Sequence, residues 1–526
     1  MIQITLDSKS WFRNENLSVR GYCFDKSKQL FINEGLLDFF GNIENEETLD
    51  IKLKEANGIF SLIIHRQNFE VATVDRTRVY PLYYTVQKDT LHVSDNPYNL
   101  LTNRENTIDL RSLDEINHLG FVLGERTLIY GLFQVCPSSY IILKNGKYAQ
   151  KYFSHFKLQV SETLEATQIT DLTLNIFEES IQRLVKSANG RQLVLPLSGG
   201  FDSRVILCLL KKIGYKNVLC YNVGRPGNPE HVTSEKVAKQ LEYPYYFINN
   251  SSEQLISDYT RDDFFKKYYV FSGNLSATFW MYEYFAIKYL IENHLIDVDS
   301  IFIPGHSGDF LAGSHFSKAG IKKYEKQKNI IKKIVHNKFN ISDTRPLKKK
   351  TQVITTFISN EMDNSEYYGY SIFDDFEYKE HLPKYINNST RIYEYFGHEV
   401  RLLFWDNQLL DLFRKMPYEL KLYNTFYNDF VETYLFKPLG VDYKHEFQQR
   451  KIRLKWQRIK NILKKYVIPR CLAKKINREA DYTCMKEISA PLRTELTENN
   501  ITVFGSYNKV FLKWYLFKIS SKFHSS

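Results

Sequence analysis

The sequence predicts two successive folds: a β-rich region, then an α/β region whose doubly wound parallel sheet runs into a helical C-terminal part. Three observations predict this. Up to about residue 155 the apolar residues fall in short β-branched and aromatic runs broken by polar turns. From about residue 163, helical apolar spacing alternates with short strands, the rhythm of a parallel sheet covered by helices. Beyond about residue 310 the spacing is mostly helical, with no internal repeat. A chain of 526 residues is too long for one ordinary core, so the change of rhythm near 155–165 is read as a domain boundary.

The strands of the first region are "MIQITL", "LSVRGYCF", "GIFSLIIH", "FEVATVD", "PLYYTVQ" and "TLHVSD". "SYIILKNGKYAQKYF" follows as a hairpin with Asn145-Gly146 at its tip, a strong short-range hairpin signal. The second region opens with the helix "EATQITDLTLNIFEESIQRLV". Next come the strand "LVLPL", a glycine turn, a helix, the strand "NVLCYNV", the helix "PEHVTSEKVAKQL" with Pro229 at its start, and the strand "YYFI".

Composition narrows the class. The chain is 43% hydrophobic and 15% aromatic, enough for packed interiors. No apolar run approaches the ~20 residues of a membrane span. The N-terminus lacks a basic start and an apolar core, so no signal peptide is expected. Six scattered cysteines without a CxxC pair argue against a disulfide framework or a zinc site, and a cytoplasmic location is expected. The net charge of +11 is local. Lys444 to Arg478 holds 13 Lys/Arg against the single acid Glu446, a net of +12, and the rest of the chain sums to −1.

The glycine turn is the chemical signal. In "LVLPLSGGFDSRVILCLL" (193–210) a buried strand stops at Ser198-Gly199-Gly200, and a helix begins. Backbone N–H groups in such a turn form an anion nest, and the helix N-terminus adds its positive end. Ser198 can add a hydroxyl donor. Asp202 would repel a phosphate directly, but it suits a Mg²⁺ that bridges phosphate oxygens. GxxxxGK[ST] is absent, as is GxGxxG with a downstream acid, so neither a P-loop nor a Rossmann fingerprint is present. An incidental turn would explain the glycines but not Ser198, Asp202 and Ser203 together.

SGGxDS after an apolar strand resembles the PP-loop of ATP pyrophosphatases. Further segments narrow the resemblance to the asparagine synthase family: "GIFSLIIHRQNFEVATVDRTRVYPLYY" (58–84), "LHVSD" (91–95), "TLIYGLFQVCPSSYIILKNGKYAQKYF" (127–153), "IPGHSGDFLAG" (303–313) and "YFGHEVRLLFWDNQLLDLFRKMP" (395–417). The resemblance implies an α+β, glutamine-amidotransferase-like (Ntn-type) domain over 1–160. It implies an α/β PP-loop synthetase domain over 161–526 that adenylates a carboxylate with ATP and Mg²⁺. The implied ATP-binding residues are Leu197, Ser198, Gly199, Gly200, Asp202, Ser203, Val223 and Gly305, and the implied metal ligands are Asp202 and Asp309. His306 falls where family members place a glutamate or tyrosine near the reacting centre, and is expected to be the catalytic base. With an ordinary imidazole pKa the rate should then fall below about pH 6.5.

The chain departs from the family in two further ways. Glutamine-hydrolysing members carry a cysteine nucleophile directly after Met1, but position 2 here is Ile2. The RGPD-type and NGE segments that clamp glutamine are missing too, and Cys23 lies inside a probable strand. The domain therefore reads as glutaminase-shaped without glutaminase chemistry, similar to β-lactam synthetases and lasso-peptide cyclases. Secondly, the family lysine that neutralises the acyl-adenylate has no counterpart in "LYNTFYNDFVETYLF" (422–436), where Lys421 and Lys437 only flank the segment.

The expected partners are a small-molecule, peptide or glycan-precursor carboxylate and an amine donor. No specific nucleic acid is expected, and a homodimer is left open. "QRKIRLKWQRIKNILKKYVIPR" (449–470), within the basic stretch 444–478, reads as a packed helix with a solvated basic face. The sharper alternatives for it are an anionic membrane surface, which the apolar stripe favours, and an anionic polymer such as RNA or an acidic glycan. Two rival readings of the whole chain are a PP-loop enzyme acting on tRNA and a catalytically degenerate scaffold.

Overall fold

The computed structural model describes residues 2–523 apart from 67–68, 88–89, 102–105, 145–146, 166–168, 253–255, 257, 340, 342–365 and 444–480. The basic stretch 444–478 and the hairpin tip Asn145-Gly146 lie outside the described residues, apart from the flanking hairpin strands. Among the described residues no helix is long and apolar enough to cross a membrane.

The N-terminal runs form two sheets. The smaller joins Ile2–Thr5, Thr90–Ser94, Tyr83–Gln87 and Phe133–Gln134 in that order. The larger runs Lys147–Tyr152, Ser139–Lys144, Phe69–Val74, Asn57–Arg66, Leu17–Phe24 and Phe12–Arg13, and Leu30–Ile32 also pairs with Leu17–Phe24. Ile63, Ala72, Val74 and Ile141 of the larger sheet pack with Tyr84, Leu91 and Val93 of the smaller. The alternate residues Leu62, Ile64, Val71 and Ile142 pack instead on Leu36, Phe40, Leu49 and Leu53 of helices Gly35–Phe40 and Glu46–Glu55. A strand covered on both faces reads as a continuous apolar run, which explains "GIFSLIIH".

The second region holds a five-stranded sheet in the order Tyr245–Asn249, Val218–Gly224, Leu193–Pro196, Ile301–Phe302, Glu399–Val400. Every neighbouring pair is parallel. The β-rich region and the parallel sheet are thus both present as expected. The chain order reverses between Leu193–Pro196 and Ile301–Phe302. That reversal is a topological switch point, where loops leave two adjacent strands in opposite directions and open a crevice.

Helices Ile169–Ala188, Phe201–Lys212 and Pro229–Gln240 accompany this sheet. The last starts on Asn228, whose side chain accepts the Glu230 N–H at 2.9 Å. The regions are tied through Asp406. Its carboxylate accepts from Arg183 Nε and Nη2 at 2.7 and 2.8 Å, and from Asn57 Nδ2 of the larger sheet at 2.9 Å. The C-terminal helix Tyr507–Phe523 returns to the main core through Trp514 and Tyr515, which meet Phe279.

Candidate active site

The loops that leave the two switch-point strands meet each other. After Leu193–Pro196, Ser198 Oγ accepts the Gly200 N–H at 3.2 Å, and Ser203 Oγ accepts the Ser198 N–H at 3.1 Å. Arg204 braces the turn from behind, donating to the Gly199 carbonyl at 3.3 Å. The second loop, Pro304 to Asp309, lies directly against this one. A Cβ on Gly305 would fall 2.7 Å from the Ser203 nitrogen, and one on Gly308 would fall 2.5 Å from Asp202 Cγ. Only glycine permits that approach. Between them Ser307 holds φ +76, a left-handed conformation costly for a side chain, and its hydroxyl accepts from Trp405 Nε1 at 3.1 Å.

This contact brings two carboxylates together. Asp202 accepts the Asp309 backbone N–H at 2.9 Å and the Tyr427 hydroxyl at 3.0 Å. Burial, and then the neighbouring Asp309 charge, push the Asp202 carboxyl up to about 7. Burial also acts upward on Asp309, but His315, Lys318 and Ser314 outweigh it and hold Asp309 below the usual carboxylate range. Ser314 Oγ donates to Asp309 at 3.1 Å, while His315 Nε2 and Lys318 Nζ stand 3.7 and 3.6 Å away. Two all-oxygen acid ligands, one destabilised by the other's charge, fit a hard divalent cation such as Mg²⁺ between them.

The acids open onto a cavity of about 720 Å³. Of the residues the sequence singles out, Ser198, Gly200, Asp202, Ser203, Gly305, His306 and Asp309 line it. Leu197, Gly199 and Val223 do not. Leu197 and Val223 are buried in the main core, and Gly199 faces the helix that carries Glu230. His306 is half-buried, and its Nδ1 has no hydrogen-bond partner among the described residues. Burial pushes its pKa down to about 4, against a weaker upward pull from Asp309. The expected fall in rate below pH 6.5 is therefore corrected: this imidazole is already neutral there.

Several cavity residues have no signature in the sequence. Lys318 lines the cavity and is 74% exposed, so its ammonium is available. Lys421 is buried and donates to Asp374 at 3.1 Å, and Lys437 is not among the lining residues. Tyr427, which holds Asp202, comes from the very segment that lacks the family lysine. Glu283 lines the cavity with its oxygens accepting from Tyr221 at 2.6 Å and Tyr393 at 3.0 Å. Burial raises its pKa, partly offset by those two hydroxyls. Trp280 also lines the cavity, and its Nε1 has no partner among the described residues.

Behind Asp309, His315 Nδ1 lies 2.6 Å from Glu377 Oε2, an oxygen that also receives Lys338 at 2.7 Å and His381 at 3.0 Å. His315, Glu377 and His381 are spaced closely enough to hold a metal ion. The Lys338 ammonium already supplies a cation to that carboxylate, so the group reads as a brace for Asp309. Burial opposes charge on His315, but Glu377 and Asp309 overcome it and raise its pKa to about 9.

In the β-rich region, Cys23 is buried within strand Leu17–Phe24, and burial pushes its thiol far above the ordinary range. Thiolate chemistry at Cys23 is closed off.

Residues 175–434 match the family model for asparagine synthase. No curated protein matches the sequence. Among solved structures, the chain is similar to an NH3-dependent NAD synthetase from Campylobacter jejuni in complex with nitrate, at 15% identity over 38% of this chain and 86% of that one, with a TM-score of 0.21. It is also similar to a glutamine phosphoribosylpyrophosphate amidotransferase from B. subtilis complexed with ADP and GMP, at 10% identity over 47% and 73% and a TM-score of 0.19. A third likeness is to an allosteric regulatory enzyme of purine biosynthesis, at 10% identity over 45% of this chain and a TM-score of 0.18; the chain spans 62% of that enzyme's length. Likenesses this distant carry no chemistry across.

Proposed function

We propose, on the premise that residues 175–434 belong to the asparagine synthase family, that the chain is an ATP-dependent C–N ligase. It adenylates a carboxylate and passes the acyl group to an amine or ammonia that its own N-terminal region does not generate from glutamine. The observation that supports this best is the meeting of Asp202 and Asp309 at the lip of a 720 Å³ cavity on the switch point. A crevice there is where open α/β sheets bind ligands.

The residues divide the work as follows. The Ser198–Gly200 turn and the start of helix Phe201–Lys212 present N–H groups and a positive helix end to the ATP phosphates. Asp202 and Asp309 would hold Mg²⁺, which offsets charge on the departing pyrophosphate. The substrate carboxylate attacks the α-phosphorus, and the bond to the β-phosphate oxygen breaks. The amine nitrogen then attacks the acyl carbon, and AMP leaves with the electron pair of the C–O bond. The nitrogen turns positive and acidic as the C–N bond forms, so even a weakly basic imidazole can take its proton, and His306 is neutral and lines the cavity. Lys318 supplies the ammonium that segment 422–436 lacks. The buried Cys23, with its thiol pushed well above the ordinary range, supports the absence of glutamine hydrolysis.

Incubation with ATP, Mg²⁺, a panel of carboxylates and amines should yield AMP and pyrophosphate in equal amounts, with no glutamate from added glutamine. His306→Ala should keep carboxylate-dependent exchange of pyrophosphate into ATP and lose amide formation. Steady glutamate release, or an alanine variant that makes amide at the wild-type rate, would refute the corresponding part of the reading.

A further inference from the structure

The walls of the switch-point cavity bear on which acid is activated there. Among its described lining residues the carboxylates are Asp202, Asp309 and Glu283, and the single lysine or arginine is Lys318. His306 is uncharged at neutral pH. Lys318 already stands 3.6 Å from Asp309. Once the ATP phosphates are bound, no lining cation is left for a second carboxylate on the substrate, and the acids and phosphates repel one. A dicarboxylate is therefore disfavoured.

The walls are rich in rings instead. Phe201, Trp280 and Tyr282 line the cavity half-buried, and Tyr423 lines it with its side chain 72% exposed. Tyr423 is also strained. It has φ 56 and ψ 25, and Asn424 after it has φ 61 and ψ 27. Asparagine tolerates this left-handed backbone, but for a bulky residue such as tyrosine it is an outlier.

The surroundings enforce the turn. Ser317 Oγ accepts the Tyr423 N–H at 2.9 Å, and Thr425 Oγ1 donates to the Leu422 carbonyl at 2.7 Å. Just before it, Lys421 is anchored to Asp374 at 3.1 Å, and a Cβ on Gly313 would fall 2.4 Å from the Lys421 carbonyl oxygen. Glycine at 423 would meet this turn without strain. The tyrosine side chain returns nothing inside the chain. Among the described residues its ring meets no other ring and its hydroxyl makes no hydrogen bond. Strain kept at an exposed position on a ligand cavity points to a contact made with the ligand. Ser317, which anchors Tyr423, precedes Lys318 on helix Ser314–Lys318, so the ring is fastened one residue away from the ammonium.

Taking the ligase reading as given, we infer that the acid adenylated here is a monocarboxylate with an aromatic body, and that Tyr423 is the specificity-determining residue whose ring stacks on that body. Stacked rings contribute beyond the area they bury.

Carboxylate-dependent exchange of pyrophosphate into ATP by the full chain tests this. The probes are benzoate, phenylacetate and 3-phenylpropanoate against acetate, succinate and aspartate. At least one aromatic acid should exceed each of the other three in kcat/KM by at least about tenfold. Tyr423→Gly removes the ring and the strain together. It should raise the KM of the best aromatic acid at least about tenfold and leave the KM of ATP within about twofold. The melting temperature should hold or rise, because glycine relieves the backbone. Tyr423→Phe should restore the KM of the acid to within about twofold of wild type. Tyr423→Asn, which also tolerates the left-handed backbone, decides the matter if the glycine variant does not fold. Exchange driven best by acetate, succinate or aspartate would leave the ligase standing and overturn the aromatic substrate. Exchange with none of the aromatic acids, while MgATP still binds, would do the same. A weaker hold on ATP in Tyr423→Gly with the KM of the acid unchanged would assign the ring to the nucleotide base and overturn its role in choosing the acid. A lower melting temperature would make Tyr423 a structural residue and overturn that role as well. Failure of MgATP to bind the wild-type chain would bring down the ligase reading and the aromatic acid together.

Discussion

Asp75 in the β-rich region is buried and Asp202 in the α/β region is half-buried at the cavity wall, and the loss of solvent raises both pKa values, to about 6 and about 7. Their surroundings differ. Asp75 accepts the Phe60 N–H at 3.0 Å and both the N–H and hydroxyl of Thr77 at 2.5 Å, with the Arg76 cation nearby. Asp202 has two donors and faces a second carboxylate. One acid is enclosed by groups that complete it; the other is held beside a like charge, an arrangement that calls for a cation. Burial alone therefore does not mark a functional acid, whereas burial against a like charge does.

The largest expected effect separates the two directly. Asp202→Asn should lower Mg²⁺-dependent pyrophosphate release about 100-fold or more, as expected when a charge-stabilising group on a transferring phosphoryl is lost. It should cost little stability, because it removes a buried like-charge contact. Asp75→Asn should do the reverse. It places an amide donor among existing donors, costs about 1–3 kcal/mol in denaturant unfolding, and leaves turnover per folded molecule unchanged. If both variants lose stability and keep activity, the contrast fails.

The proton balance sharpens the comparison. Between the ordinary aspartate value of 3.8 and about 6 for Asp75 or about 7 for Asp202, the folded chain holds protons that the unfolded chain has released. The folded state binds more protons there, so without divalent cation this contribution to stability is present at low pH and lost as pH rises through that window. Asp202→Asn should remove the part of the decline nearest pH 7, and Asp75→Asn the part nearest pH 6, in urea unfolding followed against pH. A decline unchanged in both variants would contradict the assigned values.

Lys318→Ala is a smaller perturbation. Pyrophosphate release should fall about tenfold, some 1.4 kcal/mol in the barrier. Because the side chain is 74% exposed, the melting temperature should hardly move. Full activity in this variant would mean that another cation serves the adenylate.

The contrast also explains what the sequence can and cannot disclose. The strands around Asp75 and Asp202 are legible because period and turn chemistry are local. The loops with Ser198, Asp202, His306 and Asp309 are legible because each is one short run whose residue types only make sense together. Lys318, Tyr427 and Glu283 were not legible. Tyr427 meets Asp202 across 225 residues, from a helix, Thr425–Val431, whose pattern is that of ordinary packing. Lys318 stands in a lysine-rich run where nothing distinguishes it. The low His306 pKa depends on how completely its loop is covered, which no spacing encodes.

If Asp202 and Asp309 hold Mg²⁺ for a nucleotide at the switch point, as proposed, ATP binding tests that role without any knowledge of the carboxylate or the amine. Titration calorimetry should show that Mg²⁺ tightens ATP binding to the wild-type chain by at least about tenfold, and that Asp202→Asn and Asp309→Asn each abolish that gain while retaining the fold. Folded variants that keep the full Mg²⁺ enhancement would contradict the claim.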